Sequence, residues 1–177
     1  MKRASRTELQ PLLDDASIGK EARMSSGDHR SLRLWLRLLS CSNDIETQIR
    51  QRLRSQFGMT LARFDYLAQL HRHPNGLRMN ALSRFLMVTG GNVTGLTDEL
   101  EKDGFVAREA DPDDRRSWRV GLTPKGRKAF EKIASVHEGW VVELFGDMPE
   151  ADTHQLHELL GRLRVQLSTQ PTFDPRN

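Results

Sequence analysis

One cysteine, Cys41, is all that the 177-residue chain contains, so no disulfide forms within it and no cysteine-rich zinc site is available. Tyrosine is equally scarce, with Tyr66 alone. No apolar run approaches the ~18 residues of a membrane span, and the opening MKRASRTELQPLL lacks the apolar core of a secretory signal. A cytoplasmic protein with no membrane partner is expected. Catalytic signatures are missing too: there is no glycine-rich phosphate loop after a strand, no nucleophile elbow, and no carboxylate or His/Cys cluster with ligand spacing. His154 and His157 share a helical face but lack the further ligands that zinc requires. An enzyme, a cofactor and a metal are all unexpected.

What the chain does have is charge and helical period. Its length suits a single folding unit with a real core. Charged residues make up 29% and the net charge is only +3, which permits a polyanionic partner without requiring one. Residues 1–28 mix charges of both signs with Pro11, Gly19 and Ser25-Ser26-Gly27, and read as a disordered tail; 169–177 read as a flexible one. Over 30–57, Leu34, Leu38, Cys41, Ile45, Ile49, Leu53 and Phe57 recur at helical spacing. Gly58 suits the end of that helix and Thr60 the cap of the next, whose core face is Leu61, Phe64, Leu67 and Ala68. His73-Pro74-Asn75-Gly76 stops it.

Two short helices, 79–86 and 90–103, follow, with only Met87, Val88 and Thr89 between them, which is helix-turn-helix spacing. After Gly104 the period shortens to that of strands. Phe105 to Arg108 and Trp118 to Leu122 flank a charged, proline-containing hairpin. Thr123-Pro124 restarts a helix, with Thr as cap and Pro at the first helical position, and Phe130, Ile133, His137, Trp140, Val141 and Leu144 form its stripe. A last helix carries Leu156, Leu159, Leu160, Leu163 and Leu167 on one face. The expected fold is mainly α with a small β-wing (α+β): a winged helix-turn-helix at 59–123 between long dimerisation helices at 29–58 and 124–168. Continuous apolar stripes on helices this long exceed what one small winged module covers, and such surface normally pairs with a second copy.

In the second helix of the motif, Val93, Leu96 and Leu100 mark the buried side. Gly91, Thr94, Gly95, Asp98 and Lys102 then face outward, with Asn92 at the flank. Each helical glycine costs about 1 kcal/mol against alanine; close approach of the backbone to another surface would explain Gly91 and Gly95, the alternative being that Gly90 and Gly91 merely begin a frayed first turn. In a major groove ~12 Å wide, Thr89, Asn92 and Thr94 reach phosphates or base edges. Asp98, Glu99 and Glu101 make this helix acidic, which favours indirect readout of DNA shape. Arg115 and Arg116, at the hairpin tip, are placed to enter a narrow minor groove.

The order of elements, together with Asp114-Arg115-Arg116-Ser117-Trp118-Arg119-Val120-Gly121-Leu122-Thr123-Pro124-Lys125-Gly126, resembles the MarR family over about 30–167. The resemblance implies a homodimer straddling a palindromic operator in double-stranded DNA, usually a repressor released by a small aromatic ligand. It singles out Arg116 as the wing contact, with Asp114 two residues before it to orient the guanidinium. It places the effector between the dimer helices and the winged module, near Trp35, Arg37, Leu39, Phe64, Tyr66, His137 and Trp140. The segment 86–97 is similar to relatives that control aromatic acid degradation, which points to an aromatic acid or its CoA thioester. Two other readings stay open. One is a winged-helix protein-interaction module without DNA binding, favoured by the acidic stretch 98–103. The other is a redox-sensing regulator using Cys41, against which its place on the apolar stripe argues, since a buried thiol is inert.

Overall fold

A computed structural model describes residues 30–86, 90–111 and 117–170. The tail expected over 1–28 lies outside the described residues, as do all but the first two positions of 169–177. The elements run α1 (Arg30–Phe57), α2 (Leu61–Arg72), β1 (Leu77–Arg78), α3 (Met79–Leu86), α4 (Gly90–Lys102), β2 (Val106–Ala110), β3 (Trp118–Leu122), α5 (Pro124–Phe145) and α6 (Glu150–Thr169). Contacts divide the described residues into two units, 30–140 and 141–170. Among the described residues no helix is long and apolar enough to cross a membrane.

Helix boundaries follow local chemistry. Gly58 and Gly104 take left-handed φ values of 60° and 73°, which lets the amides of Met59 and Phe105 bond back to Leu53 and Leu100, at 3.3 and 2.9 Å. Thr60 caps α2 by accepting the Arg63 amide at 3.3 Å. In the larger unit the core lies where α2, α3 and α4 meet the sheet: Leu53, Leu67, Leu70, Leu82, Val93, Leu100 and Val120 are all buried. Each contributes about 1.5–3 kcal/mol by leaving water. Of α1, only Ile49 and Leu53 are buried. Cys41, expected to be buried on the α1 stripe, is instead exposed, because a stripe fixes which residues share a face and not whether another element covers it.

The sheet has three antiparallel strands in the order β1-β3-β2, one more than the hairpin expected. Leu77 pairs with Val120, and Val106 with Leu122. β1 is two residues long, too short to carry an alternation that the sequence would reveal. The Thr-Pro-x-Gly junction after β3 has a specific physical basis. Thr123 donates its amide to the Phe105 carbonyl at 3.0 Å and its hydroxyl to the Gly104 carbonyl at 2.8 Å, and that same oxygen accepts the Gly126 amide at 3.0 Å. Lys125 donates to the Asp103 carbonyl at 2.6 Å, above the Phe105 ring. Gly126 itself is pressed against the backbone, since a Cβ there would lie 1.8 Å from the Phe105 carbonyl oxygen. Gly126→Ala is therefore expected to destabilise the fold by about 3 kcal/mol or more. A clear drop in the urea midpoint checks this, and an unchanged midpoint contradicts it.

Candidate nucleic-acid interface

α4 buries Val93, Thr97 and Leu100 and turns Gly91, Asn92, Thr94 and Gly95 to solvent, the orientation its sequence period predicts. A Cβ built on Gly91 or Gly95 meets nothing within 4 Å, so no contact among the described residues demands glycine at either place. Thr89, Asp114, Arg115 and Arg116 lie outside the described residues.

The acidity of α4 looks different in three dimensions. Arg108 on β2 reaches back to the helix and forms ion pairs with both Asp98 and Glu101. Its Nη1 lies 2.5 Å from Glu101 Oε2, and its backbone amide donates to Glu101 Oε1 at 3.2 Å. Asp103, just past the helix, pairs with Arg63 of α2. Sequence reasoning missed these pairings, since nothing in a helical wheel shows which strand residue will lie against it.

A second missed residue is Asp111, at the root of the wing. It is 1% exposed and takes a bidentate pair from Arg78, with Nε at 2.6 Å and Nη2 at 2.9 Å. Arg119 adds a contact at 3.3 Å and also donates to the Asn75 carbonyl. One carboxylate thereby joins the end of β2 to β1 and β3. Its signal in sequence was weak: an aspartate beside a proline in a charged hairpin ordinarily reads as solvated.

The seven residues proposed for an effector are dispersed. Phe64, His137 and Trp140 come together, with ring centroids 4.7 Å apart for Phe64 and His137 and 6.2 Å for His137 and Trp140. Tyr66 is fully buried, its hydroxyl 2.6 Å from Thr97 Oγ1. Thr97 donates its proton to the Val93 carbonyl at 2.7 Å, so Tyr66 is the donor to Thr97 and braces α4 from below. Burial pushes the phenol up to about 12. Trp35 and Arg37 are exposed on α1 and Leu39 is half-buried. A cavity of about 370 Å³ lies elsewhere, between α1, α2, α3 and α4, where Arg50, Arg54, Leu61, Asp65, Leu86 and Leu96 line it.

The sequence pattern of the MarR family matches residues 59–118. A transcriptional activatory protein, BadR, from Rhodopseudomonas palustris is 36% identical over 132 residues, which is 72% of this chain and 75% of that protein. Among solved structures, a MarR family transcriptional regulator from Silicibacter pomeroyi is 31% identical with a TM-score of 0.68, covering 80% of this chain and 99% of its own. The S. aureus MepR-DNA complex is 27% identical with a TM-score of 0.62, over 76% and 96% of the two chains.

His137 is the titrating group of the aromatic cluster. Burial lowers its pKa from 6.5, with the Asp65 carboxylate opposing, while burial raises that of Asp65. A histidine whose folded pKa lies below its unfolded value leaves stability intact above about pH 6.5 and erodes it as the pH falls toward the folded pKa. Asp65 acts in the opposite sense, so the comparison must isolate the imidazole. Between about pH 7.5 and about pH 5.5, the wild type should lose more stability to urea than His137→Gln does, by at most about 1.4 kcal/mol per pH unit. Identical pH dependence in the two proteins contradicts this.

Proposed function

Because the chain belongs to the MarR family, whose members regulate transcription through a DNA-binding winged helix, we propose that it acts as a homodimer on a palindromic operator and represses until a small aromatic ligand releases it. The family is one of transcription regulators, not enzymes. The observation that carries the DNA reading is the outward face of α4, with its unconstrained Gly91 and Gly95. Beside Asn92 and Thr94 on that helix, the contacts we assign are Thr89 before it and Arg115 and Arg116 on the wing, with Asp114 orienting Arg116.

Dimerisation is supported by apolar side chains that are exposed among the described residues. Leu32, Leu34 and Trp35 on α1 are exposed, and on α6 so are Leu159, Val165 and Leu167. Surface of this kind calls for a partner, and a second copy provides it with two-fold symmetry matching a palindrome.

For the ligand, an aromatic acid or its CoA thioester, the cavity beside Arg50 and Arg54 is a site for the aromatic acid group. Its volume of about 370 Å³ lies at the small end of ligand pockets, which suits a ring and its carboxylate. Arg50 already pairs with Glu46, which leaves Arg54 as the arginine we assign to the acid. The cavity touches both α1 and Leu96 of α4, so occupancy would act on the recognition helix directly. Trp35, Arg37, Leu39, Phe64, His137 and Trp140 remain candidates for a ligand between the dimer helices and the winged module, whereas Tyr66 is committed to Thr97. Activation in place of repression is the second reading, favoured by the likeness to the transcriptional activatory protein BadR; both readings need the same DNA contacts.

The test is selection of bound sequences from random duplexes, followed by anisotropy titration. A palindromic motif is expected, bound with an affinity that falls steeply with salt and that free aromatic acids weaken. Arg116→Ala should lose at least about tenfold in affinity while sedimenting as the same dimer. A non-palindromic or absent motif, or undiminished binding by that variant, overturns the proposal.

A further inference from the structure

A helix that lies against a polyanion has four carboxylates in six residues at its C-terminal end, Asp98, Glu99 and Glu101 on it and Asp103 just past it. Uncompensated, they would repel the phosphates the helix must approach. The chain meets this from a neighbouring strand. Arg108 sits in the middle of β2, paired across the sheet with Val120, and its guanidinium spans the carboxylates of Asp98 and Glu101. The arginine side chain is 22% exposed, against 59% for Asp98 and 39% for Glu101. The cation is thus the sheltered member of the group and the carboxylates lie nearer solvent, on the side of α4 that also carries Thr94. Asp103 is met separately by Arg63.

We infer that Arg108 is a positioning residue for DNA binding: by holding Asp98 and Glu101 it removes their charge from the face offered to phosphate and locks the recognition helix to the wing strand. Two elements that must meet adjacent grooves then approach as one piece. The role is indirect, since Arg108 acts through the carboxylates and does not itself contact DNA. It goes beyond assigning DNA binding to the chain, because it names what makes an acidic recognition helix compatible with it.

The test uses the full-length protein and a fluorescein-labelled mixed-sequence duplex about three helical turns long, read by anisotropy from about 50 to about 200 mM salt. Arg108→Ala uncovers two negative charges and should bind about tenfold more weakly at the low-salt end, with the deficit shrinking as salt screens the repulsion. Adding Asp98→Asn and Glu101→Gln to that variant should restore affinity to within about threefold of wild type. If the triple variant binds as weakly as Arg108→Ala, the arginine contacts DNA directly and the inference is wrong. It is equally wrong if Arg108→Ala binds like wild type. Should Arg108→Ala fail to fold, Asp98→Asn with Glu101→Gln alone decides: tighter low-salt binding supports the masking role, and unchanged binding overturns it.

Discussion

A carboxylate buried at the base of the wing sets the geometry of the DNA-binding module. Asp111 is withdrawn from water, which for an unpaired anion costs several kcal/mol, and the bidentate grip of Arg78 with the added contact of Arg119 offsets that cost. Arg78 ends β1 and is followed at once by α3. The ion cluster therefore connects the strand that leads into the helix-turn-helix with the two strands that carry the wing. Because Arg78 is itself 39% exposed, losing it should fall toward the lower end of the about 3–5 kcal/mol typical of broken buried pairs.

Around this anchor, arginines recur as the means of fixing acidic groups in place. Arg78 and Arg119 hold Asp111, Arg108 holds Asp98 and Glu101, and Arg63 holds Asp103. Each pair joins different elements, so the charges that made α4 look unsuited to DNA serve to orient it. Below the helix, the Tyr66–Thr97 bond does the same without charge. The recognition helix is thereby supported by β2 on one side and by α2 beneath, and its exposed N-terminal half is left with small side chains.

Much of the fold was legible because it rests on local rules. The helical periods, Gly58 and Gly104 at helix ends, Thr60 and Thr123 as caps, and the outward placing of Gly91 and Gly95 all follow from residues a few positions apart. What escaped was long-range. β1 is too short to show a pattern, and Asp111 looks like any loop aspartate until Arg78, 33 residues earlier, is brought beside it. Tyr66 reads equally well as a ligand contact or as a brace, and only its partner Thr97 shows the brace. Cys41 follows an apolar stripe faithfully, yet a stripe says which residues share a face and not what covers them.

The most direct measurement of the central claim is amide hydrogen exchange on Asp111→Asn, which keeps the side-chain shape and removes the charge. If Asp111 anchors the wing, protection at β2 and β3, Val106–Ala110 and Trp118–Leu122, should fall by about tenfold or more. Protection at the buried positions of α2 and α5, such as Leu67 and Phe130, should hold. Wing protection equal to that of the wild type would show that the strands keep their place without the carboxylate, and would contradict the account.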